Sequence, residues 1–258
     1  MLNYRNTNIV FLILFALLLL FSFFVTVNLL FFLILFVIRF LILVVGSSFI
    51  QLGFHLKAYC NIPLEKEKNV ALTFDDGPHE MTLLVLDVLK KHNAKATFFC
   101  IGKNVEKHPE ILKKIISEGH IVGNHSYNHS RLFDFYRKEK LIAEILKTDA
   151  LIEKISGKKT ILFRPPFGVT NPSIRRALEV TKHHVIGWNI RSLDGIIKNE
   201  KLVFNRIKKL ISPGGIVLLH DTSLQSVKAL EQLLQFIEEN KYKVVSLEQL
   251  LEIKAYED

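Results

Sequence analysis

The sequence predicts an α/β domain built on a parallel sheet, preceded by an apolar segment that enters a membrane. Three observations carry this reading. Short apolar runs alternate with amphipathic helical stretches from residue 70 onward, and strand–helix alternation of this kind implies parallel strands. Residues 9–50 are almost pure hydrocarbon, broken only by Asn28, Arg39, Gly46 and a few small hydroxyl residues. The composition, 49% hydrophobic with a mean hydropathy of +0.26, is too apolar for a plain soluble domain or a disordered chain. With 258 residues, the chain suits one catalytic domain and an accessory segment, because a single core stops growing near ~250–300 residues.

The apolar stretch of 42 residues would run roughly 63 Å as helix, about twice the ~30 Å of a hydrocarbon core. Two spans turning near Asn28 are the simplest division. The rival is one long tilted span over 9–38, ended by a snorkelling Arg39, with 40–54 lying in the interface. A cleaved signal peptide fits poorly, since its apolar core is only ~7–15 residues long. The chain is thus divided into a membrane segment at 1–60, with one or two spans inside 9–54, a polar linker at 61–69 around Pro63, and a catalytic domain at 70–258. Strands are expected at 70–74, 96–102, 120–124, 161–166, 183–189, 215–221 and 243–247. Helices are expected at 80–92, 104–118, 136–156, 172–181, 199–211 and 223–239, where apolar residues recur at i, i+3, i+4 and i+7. Ser246 and Gln249 form a capping-box pattern that opens a last helix. The sheet is either closed as a barrel or open and doubly wound, and either way the chemistry belongs at the C-terminal ends of the strands.

Several reactive residues fall there. Asp75 and Asp76 end the first strand, His125 and His129 follow the third, Arg164 ends the fourth, and His220 ends GIVLL. Adjacent carboxylates in TFDDGPH point to opposite sides of an extended chain, so one can bind a metal while the other faces a reacting water. HSYNH places two imidazoles at i and i+4, a chelating spacing if the segment is helical. Two His and one Asp leave coordination positions open, which suits a hydrolytic metal rather than a closed structural zinc. RPPFG is a stiff loop able to hold a guanidinium against a carboxylate and to offer a backbone N–H to an oxyanion. His220, with Leu218 two residues earlier on the same face, is a candidate general acid beside an apolar wall. Cys60 and Cys100 cannot form a multi-bridge scaffold, and no nucleophile elbow, P-loop or GxGxxG occurs.

With these residues in view, the chain resembles the polysaccharide deacetylases of carbohydrate esterase family four, the NodB-homology domain. TFDDGP, HSYNH, RPPFG, WNIRSLDG and LLHD match that family's five motifs in order, and the similarity spans roughly residues 70–250. The resemblance implies a distorted (β/α) barrel of the NodB-homology type. It also implies a divalent metal, zinc first with cobalt or nickel as alternatives, held by Asp76, His125 and His129. By the same mapping Asp75 is the general base and Arg164 orients it. The Phe167 N–H faces the oxyanion, His220 is the general acid, and Leu218 walls the acetyl-methyl pocket. The fourth motif departs from the pattern Asp-x-x-Asp-Trp: Arg191 stands at the first Asp and Gly195 at the Trp, while Asp194 keeps the second acidic position and is expected on the substrate side with Phe167 and Leu218. From this departure we expect that the carboxylate tuning the acid is missing, that Arg191 lowers the His220 pKa, and that the acyl pocket is wider than usual unless Trp188 fills it.

The expected activity is removal of N-acetyl groups from an amino-sugar polymer of the envelope, with release of acetate. The rivals are an O-acetyl esterase or deacylase of a lipid-linked sugar, and a catalytically weak glycan-binding module. The net charge is +9. Residues 1–64 hold three of the 34 bases and no acid, so the remainder carries 31 bases against 25 acids. This mild, scattered excess predicts no nucleic-acid partner. No protein partner is expected beyond the substrate and the bilayer, and the location is an integral one in the cell membrane with the catalytic domain outside the cytoplasm.

Overall fold

The apolar segment folds as a helical hairpin. In the computed structural model, which describes residues 3–63 and 65–257, α1 (Tyr4–Ser22) and α2 (Leu29–Ser48) run antiparallel and are separated by residues 23–28. Met1, Leu2 and Asp258, at the outer bounds of the expected membrane segment and catalytic domain, and Leu64 in the expected linker lie outside the described residues. Asn28 ends the turn by capping α2: its side chain accepts the Leu30 N–H at 2.9 Å. At 1.5 Å per residue the helices are about 28 and 30 Å long, each long and apolar enough to cross a membrane. The rings of Phe11 and Phe15 interleave with those of Phe32 and Phe36, with centroids 5.1 to 5.8 Å apart. Arg39 donates to Asn8 Oδ1 at 3.0 Å and stacks on Phe11, so the one charge inside α2 is paired across the hairpin. The long single span over 9–38 is not formed.

The base of the hairpin is fastened to the domain. The Tyr4 N–H bonds Phe54 O, the Thr170 N–H bonds Ser47 O at 3.0 Å, and Gln51 Nε2 donates to Trp188 O at 2.9 Å.

Strands and helices then alternate as β1 (Asn69–Asp75), α3 (Glu80–Lys91), β2 (Ala96–Cys100), α4 (Gly102–Lys107), α5 (Pro109–Ser117), β3 (Ile121–Asn124), α6 (Lys138–Ser156), β4 (Leu162–Phe163) and α7 (Pro172–Thr181). The rest follows as β5 (His184–Val185), β6 (Ile190–Arg191), α8 (Glu200–Leu210), β7 (Gly215–His220), α9 (Leu224–Glu239), β8 (Lys243–Val244) and α10 (Leu247–Leu251). Every strand pairing is parallel, in the order β5-β4-β3-β2-β1-β7-β6, with β8 beside the start of β1. The two edges of this path, β5 and β6, are neighbours in sequence. From Val185 to Ile190 the chain can reach at most ~18 Å, whereas a flat sheet would hold its edges about 29 Å apart. The sheet therefore curls into an incomplete barrel. Residues 59–62 line the gap: the Tyr59 N–H bonds Val185 O, the Gly187 N–H bonds Tyr59 O, and the Ile62 N–H bonds Gly214 O. The chain on both sides of residue 60 is thus attached to the sheet.

Two expected elements are corrected. The single helix over 104–118 is broken at His108, because Pro109 starts α5 at a position that tolerates a missing N–H. Of the single strand expected over 183–189 only β5 forms; the chain then crosses through Trp188 to the opposite edge, where β6 starts at Ile190, beyond the expected range. The capping box is present, with Ser246 Oγ accepting the Gln249 N–H and Gln249 Oε1 accepting the Ser246 N–H.

Alternation along β1 separates two cores. Val70, Leu72 and Phe74 pack outward against α3, α5, α8 and α9. Ala71 faces inward with Ile216 and Leu218, and Thr73 and Asp75 share that inward face by the strand period of two. The inward face carries the polar residues of the site.

Candidate active site

Arg164 is the anchor. It is fully buried, and each of its nitrogens donates to protein: Nε to Ile186 O at 3.1 Å, Nη2 to Gly187 O at 2.9 Å, and Nη1 to both Thr73 Oγ1 at 2.8 Å and Asp75 Oδ1 at 2.7 Å. Its guanidinium lies 4.2 Å from the centre of the Phe99 ring. A buried cation with these partners fixes the Asp75 carboxylate in place.

Asp76 leaves the strand with φ of +75°, turning its side chain away from Arg164 toward the histidines. Gly77 must follow, because a Cβ there would lie 2.3 Å from Asp221 Oδ2. Asp221 is itself buried, accepts from Thr82 Oγ1 at 2.5 Å, and is pushed up to about 7 by burial. It ties the start of α3 to the end of β7.

The imidazoles of His125 and His129 converge with ring centres 4.8 Å apart. They do so through a loop rather than a helical turn, with Ser126 and His129 both at positive φ. Asn124 Oδ1 accepts the Ser126 N–H at 2.8 Å, and Glu144 accepts the N–H and the side-chain amide of Asn128. Arg164 O bonds His125 Nδ1 at 2.7 Å, which leaves Nε2 with its lone pair facing the cleft. That Nε2 lies 3.6 Å from Asp76 Oδ1, and His129 Nε2 lies 3.5 Å from the same oxygen. Burial, and then the neighbouring His125, lowers the His129 pKa to about 4, so its ring is neutral. The fit to a metal rests on Asp76 Oδ1, a buried oxygen without a hydrogen-bond donor among the described residues, which shares its space with the Nε2 atoms of two imidazoles. One carboxylate and two imidazoles form the donor set of a borderline divalent ion such as zinc.

On the opposite flank, His220 Nε2 is 3.9 Å from Asp76 Oδ2. Its Nδ1 is 2.7 Å from Asp194 Oδ1, and its own N–H bonds Asp194 Oδ2 at 2.8 Å. Asp194 is fully buried and also accepts from Ser192 Oγ and Ser226 Oγ at 2.7 Å each. Burial alone would lower the His220 pKa, but the Asp194 bond and charge, followed by Asp75 and Asp76, outweigh it and raise the value to about 9. This corrects two expectations. The carboxylate beside the acid is present, supplied by Asp194, which touches His220 instead of projecting toward a substrate. Arg191 is exposed, with its guanidinium 5.9 Å from the Trp188 ring centre.

Phe167 sits at φ +60° with its ring edge-on to His129 at 4.8 Å. Its N–H has no protein acceptor among the described residues. Gly168 next to it also has positive φ, and a Cβ there would lie 2.4 Å from the Trp188 ring. Trp188 is therefore buried under the RPPFG loop and does not fill the space at Gly195, where a Cβ would meet only the His220 ring at 3.9 Å. Leu218 is buried on the inward face two residues before His220. The structure thus brings Asp75, Asp76, His125, His129, Arg164, Phe167 and His220 around one cleft, with Asp194 and Leu218 behind His220. Asn124 and Glu144 support it and carry no signal in sequence beyond adjacency to a motif or burial in a helix, whereas Asp221 supports it from within the LLHD motif.

The chain is similar to known proteins over most of its length. The family model described as polysaccharide deacetylase matches residues 64–186. The chain is 37% identical over 189 residues to the peptidoglycan-N-acetylmuramic acid deacetylase PdaC of Bacillus subtilis, covering 73% of this chain and 40% of that protein. It is 35% identical over 194 residues to a peptidoglycan-N-acetylglucosamine deacetylase of Bacillus cereus, covering 73% of this chain and 90% of that one. Among solved structures, PdaC superposes with a TM-score of 0.68 at 35% identity, over 74% of this chain and 92% of that one. A protein of Bacillus anthracis described as a family-four pseudoenzyme also superposes at 0.68, with 30% identity, over 72% of this chain and 66% of its own.

Proposed function

The chain belongs to the polysaccharide deacetylase family, and from that premise we propose that it is a metal-dependent hydrolase removing N-acetyl groups from an amino-sugar polymer of the peptidoglycan type. Fold membership alone does not carry activity, since the pseudoenzyme shares the fold. The observation that carries the reading is that Asp75 and His220 lie on opposite flanks of the Asp76–His125–His129 cluster, each already held by a partner of opposite charge.

Asp76, His125 and His129 would hold the divalent ion, which when bound would supply Lewis acidity toward the acetamide carbonyl and the attacking water. Asp75, held immobile by Arg164, takes the proton of the attacking water. The Phe167 N–H donates to the carbonyl oxygen as it gains negative charge. His220, kept protonated by Asp194, gives its Nε2 proton to the leaving amine. Acetate and a free amino sugar result. Asp194, Ser192 and Ser226 act through His220, as positioning residues. Two acid–base groups on either side of one cleft, one a carboxylate held in place by Arg164 and the other an imidazole kept protonated by Asp194, are matched to amide hydrolysis, where the amine cannot leave without a proton.

The hairpin is read as two membrane spans, with the domain outside the cytoplasm. Phe167 and Thr170 are three residues apart, at most ~11 Å of chain, and the Thr170 N–H is bonded to Ser47 at the end of α2. The catalytic cleft is thus held beside the bilayer surface, which favours envelope polymer close to the membrane. The test is acetate release by the full chain from N-acetylated peptidoglycan, against the same glycan after chemical de-N-acetylation. Release from both, or from neither, would contradict the assignment.

A further inference from the structure

We propose that the junction between hairpin and domain contains a binding site for the phosphate headgroup of an anionic lipid, formed by Arg5, Lys57 and Arg175 around His55. It rests on the reading of the hairpin as membrane-inserted and is separate from the catalytic cleft. Three chain segments far apart in sequence meet here: the first turn of α1, the stretch after the short helical turn at Ile50–Leu52, and the first half of α7. They enclose a pocket of about 280 Å³ lined by these four residues with Tyr4 and Phe54, and no carboxylate is among its lining residues.

The charge is one-sided. Residues 1–64 contain no acid at all, so neither Arg5 nor Lys57 has a carboxylate near it in sequence. Arg175 pairs only through Nε, with Glu179 at 3.2 Å, which leaves its terminal nitrogens for a planar, two-pronged contact. Lys57 holds its ammonium 4.8 Å from the Tyr59 ring centre, positioned by the ring rather than neutralised. The start of α1 adds the positive end of a 19-residue helix.

His55 supplies the second, independent observation. It is only 6% exposed, its Nε2 is spent on Ser47 Oγ at 2.9 Å, and its buried Nδ1 has no partner among the described residues. A buried ring nitrogen without a partner, in a pocket walled by three cations, is a group that an anion's oxygen or hydroxyl would satisfy. Burial, and then the charge of Arg175, lowers the His55 pKa to about 4, so the ring is neutral and its contribution is a hydrogen bond.

Depth identifies the anion. The Tyr4 N–H is bonded to Phe54 O, so the pocket lies where α1 leaves the domain, at one end of the apolar hairpin. The Tyr4 ring stands 5.0 Å from His55, an aromatic at interfacial level. The anion concentrated at that level is the lipid phosphate, and each basic residue near the surface adds about a fivefold gain in binding.

The test uses the full chain in nanodiscs of phosphatidylcholine with a minority of phosphatidylglycerol, and native mass spectrometry to count lipids kept by the released protein. The expected result is one phosphatidylglycerol retained in preference to phosphatidylcholine. Arg5→Gln, Lys57→Gln and Arg175→Gln should each weaken retention about fivefold, and the triple variant should lose the preference. A circular dichroism melt of the triple variant matching the parent keeps the comparison valid, and Arg175→Lys should retain most of the preference if that variant is less stable. Equal retention of both lipids, or a preference untouched in the triple variant, would overturn the proposal. So would inorganic phosphate displacing the lipid fully at equal concentration, because the site would then be one for the free ion. A chain that enters no disc would overturn the membrane reading and this site with it, whereas entry without lipid preference overturns this site alone.

Discussion

Replacing Asp194 by asparagine isolates the electrostatic device behind the proposed acid. The side chain is buried and the change nearly isosteric, but asparagine keeps only one of two accepting oxygens, Oδ1 serving Ser192 and His220 Nδ1 and Oδ2 serving Ser226 and the His220 N–H. What is also lost is the charge 2.7 Å from His220 Nδ1. With that charge the His220 pKa is about 9, so at pH 8 roughly nine rings in ten hold the proton. At the ordinary value near ~6.5 only about one ring in thirty would, and burial without Asp194 pushes the value no higher. The predicted loss of kcat/KM at pH 8 is therefore about 30-fold. The sign is fixed: the carboxylate raises the folded-state value, so removing it moves the alkaline limb of the pH profile down by more than about 2 units. Because an ion bound at Asp76 shifts both profiles together, the difference between them is the quantity to measure, on one soluble acetylated substrate. The same linkage predicts that the pair stabilises the fold below pH ~6.5 and that this contribution fades as pH rises through about 9. A uniform drop in rate with an unmoved alkaline limb would refute the argument, leaving Asp194 a purely structural residue.

Arg191→Asp should leave that limb within about half a unit, since the exposed guanidinium is set toward Trp188 and solvent screens it; a rise of a full unit would restore Arg191 as a tuning residue. Arg164→Met strands the buried Asp75 carboxylate and should cost about 3–5 kcal/mol in urea unfolding, and a cost below ~1 kcal/mol would show the pair to be solvated. Gly195 borders His220 with room beside it, so the parent should hydrolyse propionyl as well as acetyl amides, and Gly195→Trp should suppress the longer chain. Equal selectivity in both proteins would rule out a pocket wall at that position. The hairpin should resist extraction by alkaline carbonate, and a cysteine introduced at Thr26, between the helices, should react with a membrane-impermeant thiol reagent only from the side opposite the domain; labelling from the domain's side would contradict two complete spans.

The parts of the site carried by contiguous motifs were legible because each motif ends a strand, and the end of a parallel strand is where a barrel collects its chemistry. Asp75, His125, Arg164 and His220 fall there by sequence arithmetic alone. The role of Asp194 was not legible, since it depends on Leu193 taking a positive φ of 60° that folds the carboxylate back beneath His220. A residue count through WNIRSLDG shows only that one acid is absent, not that the remaining one can replace it. The His125–His129 pair was found by a helical spacing that the loop does not use: positive φ at Ser126 and His129 brings the rings together by another path. The shortness of β5 and the existence of β6 after residue 189 escaped periodicity because each strand is two residues long, too short for alternation to register. Pro109 marked the helix break after His108 plainly, and only the strong apolar periodicity on either side concealed it. The hairpin was readable from length, because no single upright helix of 42 apolar residues fits ~30 Å of hydrocarbon.

The central claim is that one cluster, Asp76 with His125 and His129, makes this cleft hydrolytic while Asp75 does the proton transfer. The most direct measurement is metal content and acetate release on the same preparations of the full chain, His129→Ala and Asp75→Asn, with N-acetylated peptidoglycan as substrate. About one divalent ion per parent chain is predicted, with ion and activity lost together in His129→Ala, and ion kept but turnover reduced by at least ~10²-fold in Asp75→Asn. Full acetate release from metal-free parent, or equal loss of the ion in both variants, would contradict it.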